Sequence, residues 1–318
     1  MTSPNLSRRT LLAGLLAAGC KRPARHSVEG LTMGTTWSLQ AKGAGEPHRR
    51  LIQDHLDARE ALFSHWREDS TLSRFNRHAS GDWFPVPAAF VQAVQLADAI
   101  HRSTGGALDP TCAPLIDAWG FGRRTAGSPP PSRPDEATLD RLRSRCGWRN
   151  LEWRNSPPAL RKHLPDLQLN LASVVEGFVL DELQPLLEKA GLHACLLEIG
   201  GEVAAWGEAP GGGPWKVGIQ TPGRPRGETL QSVDLHNECA ATSGSYREQR
   251  RIGGSTISHL IDPRTGHPVR HNVVSVTVVH ASAAWADGLA TALMILGPDE
   301  GRAVAARLGI RSFWLAEP

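Results

Sequence analysis

The chain has 318 residues, 40% of them hydrophobic, and a formal net charge of +3. That is enough for one large domain or two intimate lobes, and no basic run is long enough to form a nucleic-acid surface. Arg123-Arg124 and Arg247, Arg250 and Arg251 read as solvated charge, with a phosphate contact open to some of them.

Ser7-Arg8-Arg9-Thr10-Leu11-Leu12 is a twin arginine followed by an apolar run. The run, Leu11 to Gly19, is far shorter than the roughly 20 residues of a membrane-spanning helix. Residues 1–19 therefore read as an export signal outside the fold. The signal ends in Ala17-Ala18-Gly19-Cys20, which resembles a bacterial lipoprotein processing site with Ala17 where leucine is usual. Two outcomes are open: a lipid anchor on Cys20, or an ordinary signal cut with Cys20 incidental. Residues 20–29 read as a tether and 30–318 as the folded domain. The expected location is the bacterial cell envelope, on the periplasmic face of a membrane or free in the periplasm. Cys112, Cys146, Cys195 and Cys239 lack CxxC spacing, which argues against zinc. An oxidising compartment permits disulfides in three pairings, although Cys195, in an apolar strand pattern, reads as a buried free thiol.

Thr35–Gln40 reads as a strand after Gly34. Apolar periodicity predicts helices over 47–64 and 87–104, the second ended by Gly105-Gly106. A Ser/Pro-rich loop is expected at 127–134 and a short helix at 136–145. Leu151–Trp153 and Ala159-Leu160 suggest strands, and 174–190 a helix closed by Gly191. Ala194–Ile199 is an apolar strand broken by Gly200-Gly201. Val203–Trp206 and Trp215–Ile219 read as a hairpin across the glycine-rich stretch 207–213. Further strands are expected at Ala240-Ala241, 256–261 and 273–280. In the last, Val274, Val276 and Val278 alternate with Ser275, Thr277 and Val279, as in a half-buried strand. Helices over 283–296 and 300–308 close the chain. Helices and hairpins mix without regular strand–helix alternation, which predicts an α+β fold.

Asp287 and Thr291 stand four apart in a helical segment and so share a face. Among Ala286, Ala290, Leu293 and Met294 they form an inward oxygen pair suited to a hard cation. A helix N-terminal charge beside a core-filling threonine is the simpler alternative. His259, at a strand end before the Asp262-Pro263 turn, is a base able to work near neutral pH or a structural histidine. The small residues of Thr242-Ser243-Gly244 allow a ligand to approach the backbone or end a strand. Gly200-Gly201 and Met33-Gly34-Thr35-Thr36 carry the same two readings. Neither GxxxxGK[ST] nor GxGxxG occurs.

Three groups stand in a particular order: Asp109-Pro110-Thr111 ahead of Trp119-Gly120-Phe121-Gly122; Thr242-Ser243-Gly244 ahead of His259-Leu260-Ile261-Asp262-Pro263; and Asp287 with Thr291. In order and spacing they resemble the ApbE family, the FAD:protein FMN transferases, from about Gly34 to Leu296. The resemblance implies an α+β fold in which mixed or antiparallel sheets and packed helices form two lobes around a flavin cleft. It implies magnesium-dependent transfer of FMN from FAD to a serine or threonine of a target protein, with release of AMP. Magnesium would lie on Asp287, Thr291 and the Ser173 carbonyl, and His259 would serve the acceptor hydroxyl as base. Contacts to FAD are implied for Met33, Trp66, Ala107, Leu108, Asp109, Asn170, Glu176 and Ile261. The implied partners are FAD and a periplasmic or membrane-attached acceptor protein. One helix start departs from the family's Asp-Leu-Gly-x-x-x-Lys-Gly: Asn170, Ala172 and Glu176 replace the Asp, Gly and Lys. The last change puts an anion where the family has a cation. Two alternatives follow: a non-catalytic flavin-binding accessory protein of a respiratory redox system, or an FAD hydrolase giving FMN and AMP.

Overall fold

The structure, a computed structural model, describes residues 27–122, 132–220 and 229–317. The expected signal, Cys20, Arg123-Arg124 and most of the 127–134 loop lie outside the described residues.

In chain order the elements are β1 (Ser27–Thr32), β2 (Thr35–Ala41), α1 (Glu46–Phe63), α2 (Thr71–Arg77), β3 (Phe84–Pro85), α3 (Ala88–Ser103), α4 (Ala113–Ala118) and α5 (Glu136–Arg143). Then come β4 (Leu151–Asn155), β5 (Pro158–Lys162), α6 (Ala172–Lys189), β6 (Cys195–Ile199), β7 (Glu202–Trp206), β8 (Trp215–Gln220), β9 (Thr229–Leu235) and β10 (Glu238–Gly244). β11 (Gln249–Ile252), β12 (Ser255–Ser258), β13 (Ile261–Asp262), β14 (His267–Pro268), β15 (Val273–His280), α7 (Ala283–Arg307) and β16 (Arg311–Ala316) complete the chain.

A seven-stranded sheet in the order β1-β2-β6-β7-β10-β15-β16, antiparallel at every pairing, is the backbone of the main lobe. α6 and α7 pack against each other beside it, with α1 and α3 behind them. The mixed order of helices and hairpins thus gives the expected α+β architecture. Val174, Val179, Leu180 and Leu183 of α6 and Leu289, Ala290, Leu293 and Met294 of α7 are fully buried in one core. Each large aliphatic side chain buried in this way contributes about 1.5–3 kcal/mol. The two helices approach closely because Gly177 has no Cβ: one placed there would lie 2.4 Å from the Ala283 carbonyl oxygen. Asp181 of α6 fixes the start of α7 by accepting from Ser282 Oγ at 2.6 Å and from the Ala283 and Ala284 amides at 2.7 and 3.1 Å.

A smaller core under α4 and α5 joins Leu115, Trp119, Phe121 and Leu139 to Ile252 and Ile261. Trp119 Nε1 donates to the Gly266 carbonyl at 2.8 Å, tying α4 to the β13–β14 turn. This second lobe faces the α6–α7 pair, and the cleft lies between them.

Several local expectations are corrected. β7 pairs with β6 and β10, whereas β8 forms its hairpin with β9, an element with no clear sequence signal. The β8–β9 hairpin covers the second face of the main sheet through Trp215, Val233 and Leu235. β15 is consequently buried on both faces rather than one, with Ser275 and Thr277 inside and Thr277 Oγ1 bonded to Thr242 Oγ1 at 2.8 Å. The strands β1 and β16 were not anticipated. β1 begins at Ser27, inside the expected tether, and its short polar pattern hides it. The two closing helices are found as expected: α7 is two helical segments separated at Gly297, whose φ of 76° breaks the helix. Cys112, Cys146, Cys195 and Cys239 are all free and buried, so no disulfide links them, and Cys195 is the buried thiol expected.

Candidate functional site

A cleft of about 320 Å³ is lined by the start of α6, the middle of α7, the end of β10 and the smaller lobe. Of the residues assigned to it from sequence, Trp66, Ala107, Leu108, Asp109, Asn170, Ser173, Glu176, His259, Ile261, Asp287 and Thr291 all line its wall. Met33 does not. The β1–β2 register sets Thr32 opposite Thr35, so Met33 occupies the hairpin tip at φ 46° and packs against the main core. The Thr36 carbonyl accepts from the Gly200 amide at 3.0 Å, tying β2 to the turn between β6 and β7.

Asp109 serves two purposes. Its Oδ1 accepts from the Thr111 amide and hydroxyl at 2.8 and 2.6 Å, which rigidifies the turn, while the residue itself lines the cleft. Asn170 is held from both sides: its amide donates to the Pro110 carbonyl at 2.7 Å, and its Oδ1 accepts from the Ala172 amide at 3.0 Å. Trp66 is 55% exposed at the mouth, its ring 4.7 Å from that of His65. A large exposed aromatic at a cleft mouth offers a stacking surface.

Asp287 and Thr291 sit on one face of α7, 6% and 7% exposed. Asp287 Oδ2 accepts from the Gly177 amide at 3.2 Å. In a regular helix that amide points at the Ser173 carbonyl four residues back, so the Ser173 and Asp287 oxygens converge on a single N–H. Thr291 Oγ1 is 2.8 Å from Ser243 Oγ, which links α7 to the end of β10. Burial, then the Glu202 carboxylate, raises the Asp287 carboxyl well above the ordinary range. Burial, then Glu202 beside it, pushes Glu176 up to about 10. Glu202 is 5% exposed, and its Oε2 has no hydrogen-bond partner among the described residues. Carboxyl groups crowded into one buried wall, one of them with an unsatisfied oxygen, offer hard oxygens to a cation. Among the described residues no three His, Cys, Asp or Glu side chains converge on one ion position. Magnesium needs no such group, since it uses one or two carboxylates and takes its remaining oxygens from water and phosphate. Asp287, Thr291 and the Ser173 carbonyl are the residues that could hold it.

His259 follows β12 and continues its ladder: its amide and its Nδ1 both meet the Glu248 carbonyl at 3.1 Å. A carbonyl only accepts, so Nδ1 carries the proton and Nε2 keeps a free lone pair. Burial lowers the His259 pKa below its ordinary 6.5, which favours the neutral ring at neutral pH. A ring in this state can accept a proton at Nε2.

The wall also holds Glu202, Arg247 and Glu248, which sequence reasoning did not assign to a site. Glu202 had one faint signal, a lone carboxylate between Gly200-Gly201 and the apolar Val203–Trp206. Arg247 comes shortly after the Thr242-Ser243-Gly244 segment, and from sequence it reads as solvated charge with a phosphate contact left open. Glu176 turns inward: a Cβ on Gly200 would lie 2.5 Å from Glu176 Oε2. It does not face open solvent.

The α+β fold thus carries a ligand-sized cleft with oxygen donors on one wall and an imidazole on another. The ApbE family model matches residues 33–314, and the chain belongs to the ApbE family. The FAD:protein FMN transferase of Klebsiella pneumoniae (strain 342) is 37% identical over 296 residues, 91% of this chain and 84% of that one. That of Salmonella typhimurium is 37% identical over 320 residues, 96% and 90% of the two chains. Among solved structures, the flavin transferase ApbE of Vibrio cholerae superposes with a TM-score of 0.82 at 33% identity, covering 93% of this chain and 95% of that one. The apo flavinyl transferase ApbE of Pseudomonas stutzeri gives 0.82 at 32% identity, covering 93% and 92%.

Proposed function

We propose that this protein transfers FMN from FAD to a serine or threonine hydroxyl of a target protein and releases AMP. The observation that carries the reading is that Asp287, Thr291, Ser173 and His259 line one cleft in a chain of this family. Asp287, Thr291 and the Ser173 carbonyl would hold magnesium, which when bound draws negative charge from the diphosphate. His259 Nε2 takes the proton of the acceptor hydroxyl, and the Glu248 carbonyl holds its ring in the tautomer that can do so. The hydroxyl oxygen bonds to the FMN phosphorus. The bond from that phosphorus to the bridging oxygen breaks, and AMP leaves with the electron pair. Such chemistry depends mainly on positioning and electrostatics, and the buried α6–α7 pair supplies rigid positioning. Trp66 at the mouth offers the isoalloxazine a ring to stack on.

The twin arginine at Arg8-Arg9 and the Gly19-Cys20 junction support export to the cell envelope, with Cys20 as a lipid anchor and a periplasmic or membrane-attached acceptor. The test combines purified protein, FAD, magnesium and a flavin-acceptor domain, and reads covalent flavin fluorescence on a denaturing gel. A fluorescent acceptor band that EDTA abolishes is expected. AMP release without that band means hydrolysis. Neither signal, with a known transferase labelling the same acceptor, overturns the reading in favour of a flavin-binding accessory protein.

A further inference from the structure

We infer that Arg247 is the residue with which this cleft recognises the diphosphate of its substrate, and that it sets selectivity for FAD over flavins without phosphate. The inference rests on the FAD reading above and deepens it. Asp109, Glu176, Glu202, Glu248 and Asp287 all line the cleft, and Arg247 is the one lysine or arginine among the described wall residues. A diphosphate entering that wall brings anionic charge to a surface of carboxyl groups that offers it no counter-charge of its own. One divalent cation cannot offset all of it, so a fixed positive charge at the wall contributes directly to binding.

Arg247 is placed and free to act in this way. Its amide donates to the Gly244 carbonyl at 3.4 Å, which anchors its backbone on the turn after β10. The same strand end carries Ser243, bonded to Thr291, so the guanidinium and the oxygen donors of α7 are held in one frame. The side chain crosses Gly200-Gly201, and a Cβ on Gly201 would lie 2.8 Å from Nη2. Among the described residues its one hydrogen bond runs from Nη1 to the Gly200 carbonyl at 3.1 Å. The nearest ion-pair contact, to Glu202 Oε1, is long at 4.0 Å. A guanidinium has five N–H donors in a planar fork, so most remain for a ligand, and the side chain is 37% exposed to meet one. The fork matches two oxygens of a phosphate at once, which an ammonium cannot do. Arg250, on the same lip, is by contrast committed to the Phe121 ring at 5.4 Å and to Glu248 at 3.8 Å.

The alternative role for Arg247 is structural, pinning the Gly200-Gly201 turn through that one carbonyl. Three variants separate the two: Arg247→Ala, Arg247→Lys and Arg247→Gln, the last keeping a donor for Gly200 without the charge. Equilibrium binding of FAD and of riboflavin to the full chain with magnesium, without acceptor, is read together with the ligand-free thermal midpoint. Arg247→Ala and Arg247→Gln should weaken FAD about 10- to 100-fold, the range for hydrogen bonds to a charged group. Riboflavin affinity and the thermal midpoint should not move, and Arg247→Lys should recover part of the FAD loss. FAD affinity equal to wild type in Arg247→Gln, or parallel losses of FAD and riboflavin, overturns the inference. A wild-type protein that binds FAD but labels no acceptor would sink the transfer reaction and leave this inference standing; one that binds no FAD would sink both.

Discussion

The two walls of the cleft are built differently. On one side α6 and α7 meet through Gly177, and Asp287 and Thr291 lie almost wholly buried between them. On the other, His259 leaves β12, half of a two-stranded hairpin whose residues are mostly exposed and whose end is fixed by the Glu248 carbonyl. The oxygen donors are therefore held by the same packing that holds the fold, whereas the base rests on a small local element with few buried contacts. A substitution on the helical wall should register in stability and activity together. One on the hairpin wall should register in activity alone.

The largest expected effect tests the helical wall. Asp287→Ala should reduce magnesium-dependent FMN transfer by about 10³-fold, comparable to removing a strong transition-state donor. Because burial disfavours its charge, the thermal midpoint without added cation should also move, upward, at neutral pH. Transfer at the wild-type rate would remove Asp287 from the metal site. On the hairpin wall His259→Ala should cost about 10²-fold, typical of losing a general base, with the thermal midpoint unchanged. The pH profile sharpens the contrast. The base works unprotonated, and burial depresses its pKa. The rate should therefore rise with pH in a limb below the ordinary 6.5 and stay flat through neutrality. His259→Ala should abolish that limb. A limb centred above 6.5 would contradict the neutral, buried ring.

Gly177→Ala tests whether the helical wall is as tight as its geometry implies. The added Cβ would meet the Ala283 carbonyl oxygen at 2.4 Å and the Ala284 Cα at 2.7 Å, both backbone atoms with little room to give. Overpacking of this kind costs about 1–3 kcal/mol, readable as a lower urea midpoint with an unchanged slope. The Gly177 amide would also shift from Asp287, so the thermal stabilisation gained on adding magnesium should shrink. An unchanged midpoint would mean the helices slide apart freely, and the contrast between the walls would fail.

Much of this was legible in the sequence because it is local or periodic. The alternation of apolar and polar residues located α1, α3 and α6 to within a few residues, and the small-residue and His-Leu-Ile-Asp-Pro segments marked two sides of the cleft. What escaped depends on contacts distant in the chain. Glu202 and Arg247 become site residues only when β7 and the turn after β10 are brought against α6, and no spacing encodes that. β15 reads as half-buried because its own pattern alternates, while the β8–β9 hairpin that covers its other face ends at Leu235, far ahead of Val273 in the chain. Met33 stands at the tip of the β1–β2 hairpin, outside the cleft lining, and its expected contact with FAD is not tested by that placement.

The kink in α7 sets the limit of the rigid wall and gives the smallest predicted effect. Gly297 leaves the helix at φ 76° and Pro298 follows. Proline has no N–H, so the Met294 carbonyl four residues earlier loses its helical donor. His271 replaces it, Nε2–H donating to that carbonyl at 2.8 Å, and its Nδ1 is buried without a partner among the described residues. His271→Ala should then cost about 1 kcal/mol, the net worth of one such bond with its acceptor left unsatisfied. His271→Gln, which keeps a donor, should recover part of it. Magnesium-dependent transfer should stay at the wild-type level, because Asp287 and Thr291 lie on the N-terminal side of the kink and are held by Gly177 and Ser243. If transfer fell in step with stability in His271→Ala, the oxygen donors would depend on the whole of α7 rather than on its contact with α6.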